Sequence, residues 1–172
     1  MIKENFFVIT GGPGGGKTSL LTFLASKGYD YVPEAAREII RERLSRGLSP
    51  RPAPAAFAQQ MFTKDFDNYI TNSNRTSLLF FDRSFLDSAS LLYDSDLSGY
   101  EKIKNSHLIN RYNQKVFITP PWEQIYCTDS ERDQTFQQSI EVYNKIYSWY
   151  AEHQYNLVVI PKATLENRAA FI

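Results

Sequence analysis

An apolar run, Phe6-Phe7-Val8-Ile9, leads almost directly into Gly11-Gly12-Pro13-Gly14-Gly15-Gly16-Lys17-Thr18-Ser19. No other stretch constrains the fold as strongly. An unbroken apolar run reads as a strand buried on both faces of a parallel sheet. Leu20, Leu21 and Leu24 then recur at helical spacing between about Lys17 and Lys27, with Gly28 as a stop. Glycine tolerates positive φ and close approach, so a glycine loop between strand and helix can turn successive backbone N–H groups inward. The helix N-terminus adds its partial positive charge. Gly11, four residues, then Gly16-Lys17-Thr18 is the spacing of a phosphate-binding loop. A glycine-rich turn without a ligand is the alternative, and the strand before and helix after argue against it. The expected anion is the tail of a nucleoside triphosphate, ATP with Mg²⁺. Lys17 would reach its β- and γ-phosphates and the Thr18 hydroxyl would ligate magnesium.

At 172 residues the chain suits one α/β domain spanning residues 1–172, and a domain of this size buries roughly 70% of its unfolded surface. Nineteen Lys and Arg balance nineteen Asp and Glu, so no bulk basic charge marks a nucleic-acid partner. Cys127 is the only cysteine, which excludes an intrachain disulfide and a cysteine zinc site. His107 and His153 are too few and too isolated for a metal cluster. The opening MIKENFFVIT lacks the apolar stretch of a secretory signal. No segment approaches the ~20 apolar residues of a membrane helix. The expectation is a soluble, cytoplasmic protein.

Further along, Tyr29 to Val32 reads as a short strand, and Pro33 leads into a helix with Ala36, Ile39, Ile40 and Leu44 on one face and Gly47 at its end. "LSPRPAP" reads as a surface loop. Ala58, Phe62, Phe66 and Ile70 mark a third helix, and Leu78 to Phe81 a buried strand ending at Asp82. Helices are expected near residues 85–93 and 100–112, with a strand at Val116 to Ile118 closed by Pro120-Pro121. Phe136, Ile140, Tyr143, Tyr147 and Tyr150 predict a long amphipathic helix whose aromatics belong to the core. Leu157 to Ile160 is the last strand, before a short C-terminal helix. Strands alternating with helices predict a parallel sheet of about five strands with helices on both faces, a three-layer α/β/α sandwich.

Ligands of such sheets bind at the carboxyl ends of the strands. Asp82 stands at one of those ends and is the candidate second holder of magnesium, directly or through water; its plain alternative is to cap the next helix. Arg83 reads either as an i,i+4 partner of Asp87 or as a contact to the acceptor or the transferring phosphoryl group. Glu34 follows the second strand and is a candidate base for an acceptor hydroxyl, against a simple helix-dipole role. Arg37, one turn on, shares its face, either to grip the same small molecule or as an i,i+3 partner. "CTDSERDQTF" reads as a lid near residues 127–135, with Arg132 as the cation it would bring to the transition state or as a solvated loop arginine.

Taken in order, "GGPGGGKTSL", "VPEAAREII", "FFDRSFLDSA", "VFITPPW", the "DSERD" region and "VVIPKATLENRAAFI" resemble a small AAA-type ATPase family built on a kinase-like P-loop domain. That family is similar to nicotinamide riboside kinase domains and, more remotely, to nucleoside kinases. The resemblance spans nearly the whole chain. It implies a sheet ordered 2-3-1-4-5, Mg-ATP at the loop, and an acceptor site between Glu34, Arg83 and the lid. Asp82-Arg83-Ser84 resembles the acidic-Arg-Ser triplet of nucleoside kinases. Two reactions remain open: phosphoryl transfer from ATP to a small hydroxyl-bearing acceptor of nucleoside or ribosyl type, or ATP hydrolysis as a partner-dependent switch. A protein partner or a homo-oligomer is compatible with either.

Overall fold

The computed structural model describes residues 2–127 and 134–172. Five parallel strands form its sheet: β1 (Phe6–Gly11), β2 (Tyr31–Val32), β3 (Leu79–Asp82), β4 (Lys115–Thr119) and β5 (Asn156–Val159). Their order is β2-β3-β1-β4-β5, as the resemblance implied. The helices are α1 (Lys17–Ser26), α2 (Ala35–Ser45), α3 (Pro54–Thr71), α4 (Phe85–Ser95), α5 (Leu97–Ile109), α6 (Phe136–Glu152) and α7 (Leu165–Phe171). With both sheet faces covered, the chain is a three-layer α/β/α sandwich of the P-loop type.

Strand side chains alternate between the two layers, as a period of two requires. Phe6, Val8, Leu79, Phe81, Val116 and Ile118 face the larger core, where α3, α4 and α6 bring Phe62, Tyr69, Phe85, Trp149 and Tyr150. Ile9, Phe80 and Phe117 face the smaller one, with Leu20, Leu21 and Leu24 of α1 and Leu165 of α7. β1 lies between β3 and β4, so chain connections leave it in opposite directions. The crevice outside its carboxyl end is where ligands of such sheets bind.

The structure moves several expected boundaries. β2 is only Tyr31–Val32, and Tyr29 is exposed. β3 begins at Leu79, leaving Leu78 at the surface. α5 starts earlier than expected because the Asp96 carboxylate caps it, accepting from the Gly99 N–H at 3.0 Å. In α3 the inward residue of the last turn is Tyr69, not Ile70.

The largest difference concerns α6. Ser139, Ile146, Trp149 and Tyr150 are its buried residues, while Tyr147 is exposed. The helix is rotated because its first turn packs on the glycine loop: Ser139 Oγ donates to the Pro13 carbonyl at 2.7 Å. A Cβ on Gly12 would meet the Ser139 carbonyl. A small polar residue makes the closest approach, and a count of apolar residues passes over it.

Candidate active site

The glycine loop closes around the start of α1. Gly16, with φ of +75°, occupies the N-cap position of that helix. This left-handed backbone suits glycine, and it leaves the N–H groups of the first turn unpaired within the helix. Gly14 also has positive φ, and a Cβ there would run into the Tyr126 ring. Gly11, Gly12 and Gly15 are buried. Lys17 is buried too, and its ammonium turns back on the loop, donating to the Gly12 carbonyl at 3.0 Å. Burial and the neighbouring Arg83 charge bring the Lys17 pKa down to about 8. Thr18 and Ser19 are exposed.

Asp82 does not cap α4. Ser84 does, through a capping box with Asp87. The Asp82 carboxylate is 4% exposed, and its Oδ1 has no hydrogen-bond partner among the described residues. Burial, with the Glu34 charge adding, raises its pKa to about 6. A buried oxygen without a donor suits a cation or a cation-bound water. No cluster of three His, Cys, Asp or Glu suited to a metal occurs among the described residues. A hard ion here would therefore be shared between few protein oxygens and a ligand's phosphates, as is usual for Mg²⁺.

Arg83 has φ of +68°, uncommon for a residue with a Cβ. The turn is pinned by its own N–H, which donates to the Ile9 carbonyl at 3.0 Å. The guanidinium is thereby aimed at two carboxylates: Nε donates to Glu34 Oε1 at 3.0 Å and Nη1 to Asp87 Oδ1 at 3.3 Å. The i,i+4 pair with Asp87 is present, and both of its members line the cleft rather than an outer helix surface. Asp87 is itself anchored by Thr10 Oγ1 and the Tyr150 hydroxyl, each at 2.6 Å, and by the Ser84 N–H at 3.0 Å. β1, α6 and the start of α4 therefore hold one carboxylate, and that carboxylate holds Arg83.

Glu34 occupies the N-cap position of α2 without capping it. Its carboxylate instead accepts from Arg83 and, through Oε2, from Arg37 Nε at 3.3 Å. Burial alone would raise its pKa, but Arg83, Lys17 and Arg37 outweigh that and hold the carboxyl below its usual range. Pro13, Gly14, Gly16, Lys17, Thr18, Ser19, Glu34, Arg37 and Arg83 all line a single cleft of about 760 Å³, within the range of small-molecule sites. Asp82 lies behind this lining. Arg132 falls outside the described residues, as does most of the expected lid.

The cleft has two ends on either side of the loop. At one, Ile40, Phe57, Met61 and Leu91 form an apolar wall beside Glu34 and Arg83. At the other, Trp122, Ile125, Thr164, Leu165 and Arg168 face the loop. Sequence reasoning missed the second group. Their positions just after β4 and β5, at carboxyl strand ends, were the available signal.

A buried acid lies beneath the first end. Asp65 of α3 accepts from Ser88 Oγ at 2.5 Å. Burial, with Asp87 and Glu34 adding and Ser88 and Arg83 opposing, pushes its pKa up to about 8. Between about pH 4 and 8 the native state keeps a proton that the unfolded chain has lost, so stability falls as pH rises, by about 1.4 kcal/mol per unit from this group. Asp65→Asn should abolish that slope. Denaturant unfolding from pH 5 to 8 should show the variant gaining steadily on the wild type. A constant difference would mean that Asp65 is ionised throughout.

The model of the AAA domain matches residues 6–168. The chain belongs to the AAA domain family. Among curated proteins, no sequence matches it significantly. Solved structures share its fold: the NadR protein in complex with NR aligns at a TM-score of 0.74 and 16% identity, over 97% of this chain and 49% of that one. Deoxyadenosine kinase from M. mycoides, with dCMP and a flexible dCDP, aligns at 0.70 and 14%, over 96% and 95%. The NadR protein in complex with NAD and AMP-PNP aligns at 0.67 and 14%, over 98% and 47%. The AAA-domain chain thus spans about half the length of the NadR protein. Family and fold agree: the chain is an AAA domain on the P-loop fold that these kinase structures share. No helix among its described residues is long and apolar enough to cross a membrane.

Proposed function

We propose that this AAA-domain chain is an ATP-dependent kinase acting on a small hydroxyl-bearing acceptor of nucleoside or ribosyl type. The observation that carries the reading is Glu34. It sits where a helix cap would be, yet its carboxylate faces Arg83 at 3.0 Å in the same cleft as Lys17. A hydrolase needs only a nucleotide site and a positioned water. Here the cleft continues past the loop into a walled compartment with its own ion-paired carboxylate. The NR of the NadR complex and the deoxynucleotides of the deoxyadenosine kinase complex favour an acceptor of the same class.

In this reading the loop N–H groups and Lys17 hold the triphosphate and offset the charge that develops on the transferred group. Magnesium supplies charge neutralisation between the phosphates when bound, and Thr18 Oγ1 and Asp82 Oδ1 are the groups this chain offers it. Glu34, held below the usual carboxylate range, is ionised throughout the neutral region and accepts the acceptor's hydroxyl hydrogen. So low a pKa makes it a weak base, which suits a loose phosphoryl-transfer transition state that depends on orientation. Arg83 and Arg37 orient Glu34, and Arg83 also stays within reach of the transferring group. Arg132 remains the candidate cation of the lid. Asp82 has the higher pKa but stands outside the cleft lining, so geometry favours Glu34 as the base.

The family's AAA description supports hydrolysis as the second reading. ADP and free phosphate followed together, with Mg-ATP and a pooled panel of nucleosides and ribosides, separate the two. ADP rising only with the pool, while phosphate stays flat, is the expected result. ADP and phosphate rising together, whatever is added, would make the chain an ATPase.

A further inference from the structure

Arg168, in the last turn of α7, is 2% exposed. Its Nη2 donates to the Gly15 carbonyl at 2.9 Å, and the guanidinium lies 5.8 Å from the centre of the Trp122 ring. Nε is buried without a hydrogen-bond partner. Among the described residues no carboxylate pairs with it. Two half-buried arginines of the cleft have such a partner, Arg83 in Glu34 and Asp87 and Arg37 in Glu34, whereas buried Lys17, like Arg168, donates to loop carbonyls. Taking a guanidinium out of water costs far more than one carbonyl and one aromatic face return. Burial accordingly shifts the Arg168 pKa downward, with no opposing charge among the described residues to restore it.

The site around this side chain is built for it. A Cβ on Gly16 would lie 2.6 Å from Nη1, so the absence of a side chain there is what lets the guanidinium reach the loop. Arg168 also lines the cleft, together with Trp122, Ile125 and Thr164. A buried cation beside the turn that gathers phosphate-binding N–H groups has no anion among the described residues. A guanidinium's planar fork matches phosphate oxygens.

We propose that Arg168 is a binding residue for the phosphate chain of the donor nucleotide, a second fixed cation contributed by the C-terminal helix from the side of the loop carrying Trp122. The assignment rests on the nucleotide-binding reading of the loop but not on the identity of the acceptor. It also makes nucleotide binding a fastening of α7 to the loop, because the ligand supplies a counter-charge that no described residue provides.

Calorimetric titration of Arg168→Met and Arg168→Lys with Mg-ATP, Mg-ADP and adenosine tests this, alongside thermal midpoints without ligand. Arg168→Met should weaken Mg-ATP about 10- to 100-fold and leave adenosine unchanged. Its ligand-free midpoint should equal or exceed the wild type's, since an uncompensated buried charge has gone. Arg168→Lys should recover part of the Mg-ATP affinity. Equal weakening of adenosine and Mg-ATP would assign Arg168 to the base instead and overturn the proposal. Unchanged Mg-ATP affinity with a lowered midpoint would overturn it in favour of a structural strut. Should the Met variant not fold, Arg168→Gln carries the same comparison. Wild-type protein that binds Mg-ATP but phosphorylates no acceptor would defeat the kinase reading alone. Failure to bind any nucleoside triphosphate would defeat both.

Discussion

Lys17→Ala is expected to slow ADP formation from saturating Mg-ATP by about 10²- to 10³-fold, with the fold intact. The size follows from where the charge sits. Lys17 is buried in a loop whose other groups are neutral N–H dipoles, so its ammonium is the chain's main fixed charge at the end of the triphosphate. The intact fold follows from the same burial. A lysine whose pKa is brought down to about 8 is less comfortable charged in the native state than in the unfolded chain. Its removal therefore relieves the protein at neutral pH, against the loss of one 3.0 Å bond to the Gly12 carbonyl. ADP release and the thermal midpoint, measured on the same preparation, check both parts. Turnover near the wild-type rate would remove the loop from the chemistry.

Glu34→Gln is expected to lower acceptor-dependent ADP formation by about 10²- to 10⁴-fold while leaving the affinity for Mg-ATP nearly unchanged. Glutamine keeps the shape and can still accept from Arg83, but it cannot take a proton from a hydroxyl. A residue that only began α2 would produce no such split. Arg83 keeps Asp87 as a partner in the variant, so the turn at +68° should survive. The pH profile adds a check with a definite sign. Because Arg83, Lys17 and Arg37 outweigh burial, Glu34 loses its charge only below its ordinary value of 4.5, and an acid limb from this group belongs under that pH. Single-turnover assays with a responsive acceptor measure the rate. An equal loss of acceptor-independent hydrolysis would move Glu34 from the acceptor to the donor side.

The loop, its strand and its helix were legible because each depends on near neighbours in the chain. An apolar run, glycines that permit positive φ, and a lysine and threonine at fixed offsets are local signals. The placement of Glu34, Asp82 and Arg83 was legible for a related reason: each follows or ends an apolar run, and strand ends gather at one edge of a parallel sheet. What they do there was less clear. Asp82 and Glu34 could each have been a helix cap or a first-turn acid, and only the structure shows Ser84 capping α4 and Glu34 facing Arg83.

The rotation of α6 and the roles of Asp65 and Asp87 depend on partners tens of residues away. Tyr150 reaches Asp87 across 63 positions, and Arg168 reaches Gly15 across 153. Spacing carries no trace of such contacts, because they are set when separately formed layers pack against each other. The expectation of an anionic phosphate chain held by a glycine loop therefore rests on twelve consecutive residues, Ile9 to Leu20. Which cations and carboxylates surround the loop was decided only by folding, which pairs Arg83 and Arg37 with Glu34 and leaves Arg168 with no carboxylate among the described residues.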